Sequence, residues 1–257
     1  MRRSSLCLVA ALALAACASP TNQPPSDAAD VADVVDATPS YRCEPRPVPC
    51  VEASISRLPL LTEPNTGTIT TEGELTVIDA TAGGRTPTES YLYARFTREG
   101  LVKVPLHDEE ALASTEWDIA FRRSAIRLNS GVSGPSCVEG TEAPEGSTYE
   151  SLTRVAPSTE FRRESYFTPV NCYYASDGQG NGGPGTVLAG FWRFGNECVQ
   201  MTGETFVIRL RDDRLVKLQV RGYYNLDVQQ VCDEGGEVPR TDNGAATVRL
   251  RWSFVSR

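Results

Sequence analysis

One histidine (His107), two methionines (Met1 and Met201) and no C-x-x-C pair leave this 257-residue chain with little of the usual apparatus of catalysis or metal binding. Most serine and cysteine triads need a histidine base. His107 lies in a charged Pro-Leu-His-Asp-Glu-Glu stretch, which reads as a solvated loop, and no G-x-S-x-G elbow occurs. A zinc site built from Cys and His has no matching spacing. Gly178, Gly180 and Gly183 form G-x-G-x-x-G, but Pro184 and Gly185 follow where a dinucleotide site needs a helix, so that site is excluded. Asp177 and Asn181 in the same stretch are too few for a calcium site. Among 33 acidic residues nothing selects one carboxylate pair for hydrolysis. Basic residues are also scarce, 25 against 33 acidic, which argues against nucleic acid as a partner because that affinity rests on Lys and Arg. These absences indicate a protein that is not an enzyme, holds no structural metal and binds no nucleic acid.

No apolar run is long enough to span a bilayer, which takes about 20 residues. Leu6–Ala16 is a short apolar stretch behind Arg2 and Arg3, the pattern of an export signal. It ends in Leu14-Ala15-Ala16-Cys17, which resembles a bacterial lipobox, so residues 1–16 are expected to be removed and Cys17 to carry lipid. Several acyl chains on one residue give stable anchoring where one is marginal. Ala18 after the cysteine favours the outer membrane over retention at the inner one. Loss of Arg2 and Arg3 leaves 23 basic residues against 33 acidic, a formal charge of −10. Such a domain is repelled by an anionic membrane, so the lipid is the expected route of attachment. Residues 17–40, with no aromatic residue and no Lys or Arg, are expected to form a disordered tether with a reach of roughly 25 Å. Residues 41–257 form the folded domain.

Six cysteines remain after Cys7 and Cys17, an even number in an exported chain, which implies three disulfides among 15 possible connectivities. Cys43 and Cys50 flank a short proline-stiffened loop and are expected to close on each other. For the rest the expectation is Cys137–Cys172 and Cys198–Cys232.

The body of the domain reads as strands. Trp117, Ile119 and Phe121 alternate with Glu116, Asp118 and Arg122, the period of a half-buried strand. Ile126 and Leu128 continue into a turn at Asn129-Ser130-Gly131. Tyr91, Tyr93 and Arg95 alternate with Leu92, Ala94 and Phe96. The clearest hairpin puts Phe206, Ile208 and Leu210 on one strand and Val216, Leu218 and Val220 on its return. Thr186–Phe194 reads as an apolar strand. Val248, Leu250, Trp252 and Phe254 line one side of the last strand. Helical signal is confined to one turn at Asp108–Leu112. Regular short strands and turns predict an all-β sandwich or open barrel-like sheet. Pro135–Gly185 is a long, disulfide-pinned insert rich in Gly, Pro, Ser and Glu.

Three stretches carry a resemblance: Trp117–Gly134 (WDIAFRRSAIRLNSGVSG), Thr205–Tyr224 (TFVIRLRDDRLVKLQVRGYY) and Ala246–Phe254 (ATVRLRWSF). Together they resemble the HmuY family of bacterial surface lipoproteins, some of which bind haem, over roughly residues 89–255. The resemblance implies an antiparallel β domain at the outer membrane or cell surface and a non-enzymatic role, with haem or another porphyrin as the expected ligand. Haem-binding relatives use His or Met downstream of the WDIAF-like strand. Here no histidine lies downstream and Met201 is the only methionine there. The candidate haem residues are therefore Met201, Tyr166, Tyr173 and Tyr174, with Tyr149 nearby, since Tyr also ligates ferric iron. The alternative is a surface interaction or structural lipoprotein that has lost haem binding.

Overall fold

The alternating segments become strands in a computed structural model that describes residues 41–50, 60–168, 170–173 and 186–257. In chain order they are β1 (Ile69–Glu72), β2 (Leu75–Asp79), β3 (Leu92–Phe96), β4 (Leu101–Val104), the single turn α1 (Asp108–Ala111), β5 (Ile119–Arg122), β6 (Ala125–Leu128) and β7 (Glu139–Glu142). Then follow β8 (Trp192–Gly195), β9 (Cys198–Met201), β10 (Thr205–Arg209), β11 (Leu215–Gly222), α2 (Leu226–Asp233) and β12 (Thr247–Val255). One sheet has the order β1-β2-β12-β11-β10-β7, a second β4-β3-β5-β6, and β8-β9 stand as a separate hairpin. Every pairing between these strands is antiparallel.

Register turns the sequence alternation into a core. Ile208 faces Val216, Phe206 faces Leu218, and Leu250 faces Val220 across the larger sheet. Their inner side packs on Leu92, Phe96, Ile119, Phe121, Ile126 and Leu128 of the smaller sheet in one cluster. Each of these large apolar side chains stabilises the fold by about 1.5–3 kcal/mol on full burial. This is a sandwich of two sheets, all-β apart from α1 and α2.

The outer faces are covered as well. On the larger sheet, Leu152 and Val155 of the insert pack with Val207 and Leu215. Lys217 Nζ donates to the Tyr149 and Leu152 carbonyls at 2.6 and 3.0 Å, and Arg251 pairs with Glu150 at 2.6 Å. The insert also supplies β7 to the sheet edge, so much of it is a structural layer. On the smaller sheet, Val48, Cys50 and Leu60 from the N-terminal side and Tyr166, Phe167 and Cys172 from the insert enclose Tyr91, Tyr93, Trp117 and Ala120.

That second layer changes the expected half-buried strand. All four residues of β5 are buried, and so is Asp118. Trp117 does not share a face with Ile119 and Phe121: it lies before β5 and enters the outer core, where its indole N–H donates to the Ala111 carbonyl at 3.0 Å. The apolar stretch Thr186–Phe194 is strand only from Trp192, because Ala189–Phe191 forms a 3₁₀ turn first. Helix α2 carried no clear sequence signal, since Leu226 and Val231 are exposed and of its apolar residues only Val228 and Cys232 face inward.

The disulfides are Cys43–Cys137, Cys50–Cys172 and Cys198–Cys232. The expected Cys43–Cys50 and Cys137–Cys172 pairs are thus replaced by two links from the N-terminal segment into the insert. The segment lies across the domain instead of looping on itself: Arg46 N–H donates to the Pro135 carbonyl at 2.8 Å, and the Tyr41 hydroxyl donates to the Cys137 carbonyl at 2.7 Å. Its two ends therefore meet different partners.

Candidate functional site

Among the described residues, buried tyrosines stand near arginines in two places, one closed and one open. The closed place is the outer core of the smaller sheet. Arg127 on β6 is fully buried, with the rings of Tyr91, Tyr166, Trp117 and Tyr93 at 4.6, 4.8, 5.2 and 5.4 Å from its Cζ. Such cation–π contacts offset part of the desolvation of the guanidinium. Arg127 Nη2 donates to the Tyr93 hydroxyl, which donates to Asp108 Oδ1 at 2.7 Å. Asp108 also accepts from Tyr91 N, Leu61 N and Arg122 Nη1 at 2.8, 2.8 and 3.1 Å. Burial drives the Tyr93 hydroxyl well above its ordinary pKa, so it stays a phenol. Glu164, also buried, accepts from the backbone N–H groups of Leu128, Val187 and Ser165. Burial pushes its carboxyl up to about 7, against the opposing pull of those donors and Arg127.

The haem candidates are dispersed. Tyr166 belongs to this closed core, its hydroxyl 2.6 Å from that of Tyr91. Met201 ends β9, half-buried against the main core, and its backbone N–H donates to Asp233 Oδ1 at 2.7 Å. Tyr173 is 62% exposed. Tyr149 lies under Lys217 and Arg251 as packing. Tyr174, like the Gly-rich stretch 177–185 and the signal, Cys17 and tether within residues 1–40, lies outside the described residues. His107 caps α1, its Nδ1 accepting from Glu110 N while the Glu110 carboxylate accepts from His107 N.

The open place is a groove of about 1340 Å³, ample for a small ligand, between the β8–β9 turn, the segment Gly235–Ala245 and the loops that hold Arg85 and Arg123. Backbone strain concentrates there. Eight non-glycine described residues have positive φ. Arg123 (53°), Asn196 (48°), Glu197 (59°) and Asp242 (56°) line the groove, while Ala82 and Ala246 adjoin lining residues. Strained turns of this kind cluster at functional sites because surrounding structure must hold them. Arg123 occupies the first position of the two-residue turn between β5 and β6, a place suited to glycine. It is held by its N–H on the Ala80 carbonyl at 2.7 Å and by Nη1 on the Gly84 carbonyl at 3.0 Å.

Tyr223 and Tyr224 follow β11 and also line the groove, 4% and 6% exposed. Gln229 of α2 fixes their backbone by accepting from Tyr223 N and Tyr224 N at 2.8 and 3.3 Å. The Tyr224 hydroxyl accepts from Val199 N at 3.2 Å. Burial raises the Tyr223 pKa, and the positive charge of the Arg123 guanidinium opposes that rise. Phe194, Val199, Arg85 and Arg240 also line the groove, and Glu197, Glu237 and Asp242 stand with the three guanidiniums, so its wall is of mixed charge and more polar than apolar. The signal for the groove in the sequence is the Tyr223-Tyr224 pair, which closes the second of the three resembling stretches.

Comparison with known proteins places the chain. No curated protein matches it. Solved structures similar to it include a candidate lipoprotein of Bacteroides fragilis (15% identity, TM-score 0.41, 72% of this chain and 94% of that one). Others are a candidate HmuY-like haem-binding protein of Bacteroides vulgatus (16%, 0.42, 72% and 96%) and an apo HmuY analogue of Tannerella forsythia (15%, 0.39, 76% and 99%). The family described as HmuY protein matches residues 66–233, well over half the chain and beginning upstream of the stretch that the sequence motifs marked. This chain belongs to the HmuY family.

Proposed function

We propose that this protein is a non-enzymatic, exported lipoprotein, anchored through Cys17 at the outer membrane, that binds haem or a similar tetrapyrrole in the groove beside Tyr223. The single observation that carries the reading is the convergence of strained, firmly held turns on a groove with an aromatic wall and the guanidiniums of Arg85, Arg123 and Arg240. Family membership supports haem as the ligand. A porphyrin would stack its faces on the aromatic and apolar side chains and set its propionates against the arginines.

Titration of the tag-free protein with haemin, followed by the Soret band, tests this. Saturation near one equivalent, weakened by Arg85→Glu with Arg240→Glu, is expected. Absence of saturation in either iron oxidation state would leave the second reading, a surface interaction lipoprotein that has lost haem. The placement of Met201 and Tyr166 in separate cores favours that reading.

A further inference from the structure

A second pocket, of about 400 Å³, lies between the β3–β4 hairpin and the β10–β11 turn and shares no lining residue with the groove. Asp118, from the first of the resembling stretches, lines it and is 3% exposed. The Asp118 backbone is fixed, its N–H donating to the Ala94 carbonyl at 2.8 Å and its carbonyl accepting from Asn129 N at 3.0 Å. Oδ2 accepts from Phe96 N at 2.9 Å, while Oδ1 makes no hydrogen bond among the described residues. The guanidiniums of Arg95, Arg98, Arg211 and Arg214 line the same pocket, against two further carboxylates, Glu99 and Asp212. Asp212 is already taken by Arg214, whose Nε donates to it at 2.7 Å. Arg95 and Arg211 turn one nitrogen outward. Arg95 Nη1 lies 3.3 Å from Glu116, and Arg211 Nη1 lies 3.8 Å from Glu116 and donates to the Thr115 carbonyl at 3.1 Å. Their Nε and Nη2 donors make no hydrogen bond among the described residues.

Guanidiniums attract any oxyanion. A buried carboxylate among them repels an oxyanion that has no proton to give, and accepts a hydrogen bond from one that has. We infer that this pocket binds a protonated oxyanion, inorganic phosphate or a phosphate monoester, with its P–O–H donating to Asp118 Oδ1 and its other oxygens accepting from Arg95 and Arg211. A phosphate monoester gives up its last proton at about pH 6, whereas sulfate and phosphate diesters have none to share near neutrality. Burial pushes the Asp118 carboxyl up to about 6, against the pull of Phe96 N–H, Arg211 and Arg95 and with Asp212 adding to the rise, so acid and ligand hold one proton with similar strength. The inference does not rest on the haem reading.

Calorimetric titration of the tag-free full chain with inorganic phosphate and with sulfate, near neutral pH, tests it. Phosphate should bind at least about tenfold more tightly than sulfate. Asp118→Asn keeps an acceptor for Phe96 N–H and sets an amide donor where Oδ1 stood. Phosphate should then weaken and sulfate gain, which a merely structural role for Asp118 would not produce. Arg211→Gln, at a partly exposed position, should weaken both anions and keep the preference for phosphate. A water-soluble short-chain phosphatidic acid, a monoester, identifies the source: tighter binding than inorganic phosphate assigns the site to a lipid headgroup, and weaker binding assigns it to free phosphate. Equal affinity for phosphate and sulfate, an unchanged preference in Asp118→Asn, or no binding of any probe would overturn the proposal.

Discussion

The closed core around Arg127 and the groove beside Arg123 are built from the same chemistry, phenols against a guanidinium, at opposite ends of the β5–β6 hairpin's short sequence. In the core every phenol is directed at a neighbour. Tyr93 links Arg127 to Asp108, Tyr91 meets Tyr166, and no turn residue there is strained except Cys172, which a disulfide holds. In the groove the phenol of Tyr223 has one cationic partner and the surrounding turns are strained. The difference teaches that a buried tyrosine–arginine cluster is not by itself open to a ligand. What separates the two is whether a second layer has sealed the cluster. The N-terminal segment and the insert seal the first; the α2–β12 connection leaves the second as a groove.

The largest expected effect comes from loosening that seal. Cys50 and Cys172 are 122 residues apart in sequence, and their link holds the covering layer over Arg127. Replacing both by Ser should cost about 4–5 kcal/mol by the loop-entropy account, read as a lower urea midpoint with increased exposure of Trp117 fluorescence. A change under about 1 kcal/mol would mean that packing alone closes the core.

Next comes Arg127 itself. Its Nε and Nη1 find no acceptor among the described residues, so its place rests on the four rings, Tyr93 and the carboxylates nearby. Arg127→Met keeps apolar contact but leaves Asp108 and Glu164 with one guanidinium fewer, and should destabilise by about 3–5 kcal/mol. A neutral or stabilising outcome would place the cluster among buried charges that apolar packing replaces without loss.

Glu164 sharpens the contrast through pH. Its folded pKa of about 7 lies above the ordinary 4.5. The native state therefore holds the proton more tightly than the unfolded chain. Stability from this group is greatest below pH 4.5, falls as pH rises through about 7, and is level beyond. The span corresponds to roughly 3 kcal/mol. Urea titrations at pH 5 and pH 8 should show that decline, and Glu164→Gln should flatten it. An unchanged slope in the variant would assign the decline to another group, with Asp118, pushed up to about 6 by burial, the next to replace.

The sandwich was legible because period-two alternation needs only one buried face to show, as in Phe206–Val220 and Val248–Leu250. The seal was not legible, for a related reason. When both faces are buried, polar residues such as Asp118, Arg122 and Arg127 occupy a covered side and read as solvent-facing. Disulfide pairing failed where it turned on the path of the Tyr41–Cys50 segment, a tertiary fact. The candidate ligands Met201, Tyr166 and Tyr173 were drawn by residue type, and type says nothing about which core a side chain joins. Arg123 left no trace in the sequence, because a strained φ at a hairpin turn is advertised by glycine and concealed by arginine.

That concealment gives the smallest and most discriminating change. Arg123→Gly relieves a left-handed backbone that costs an arginine on the order of 1 kcal/mol. It also removes the bond to the Gly84 carbonyl, worth about 1 kcal/mol, and loosens the unfolded chain. The net effect on stability should stay within about 1–2 kcal/mol, well short of the loss at Arg127. Haemin binding, by contrast, should fall by at least about tenfold if, as proposed, the groove's guanidiniums meet the propionates. A variant that keeps its melting temperature and loses its ligand would mark Arg123 as held in place for binding. A variant that unfolds and binds in proportion would make it one more part of the scaffold, and the groove would then resemble the sealed core more than it differs from it.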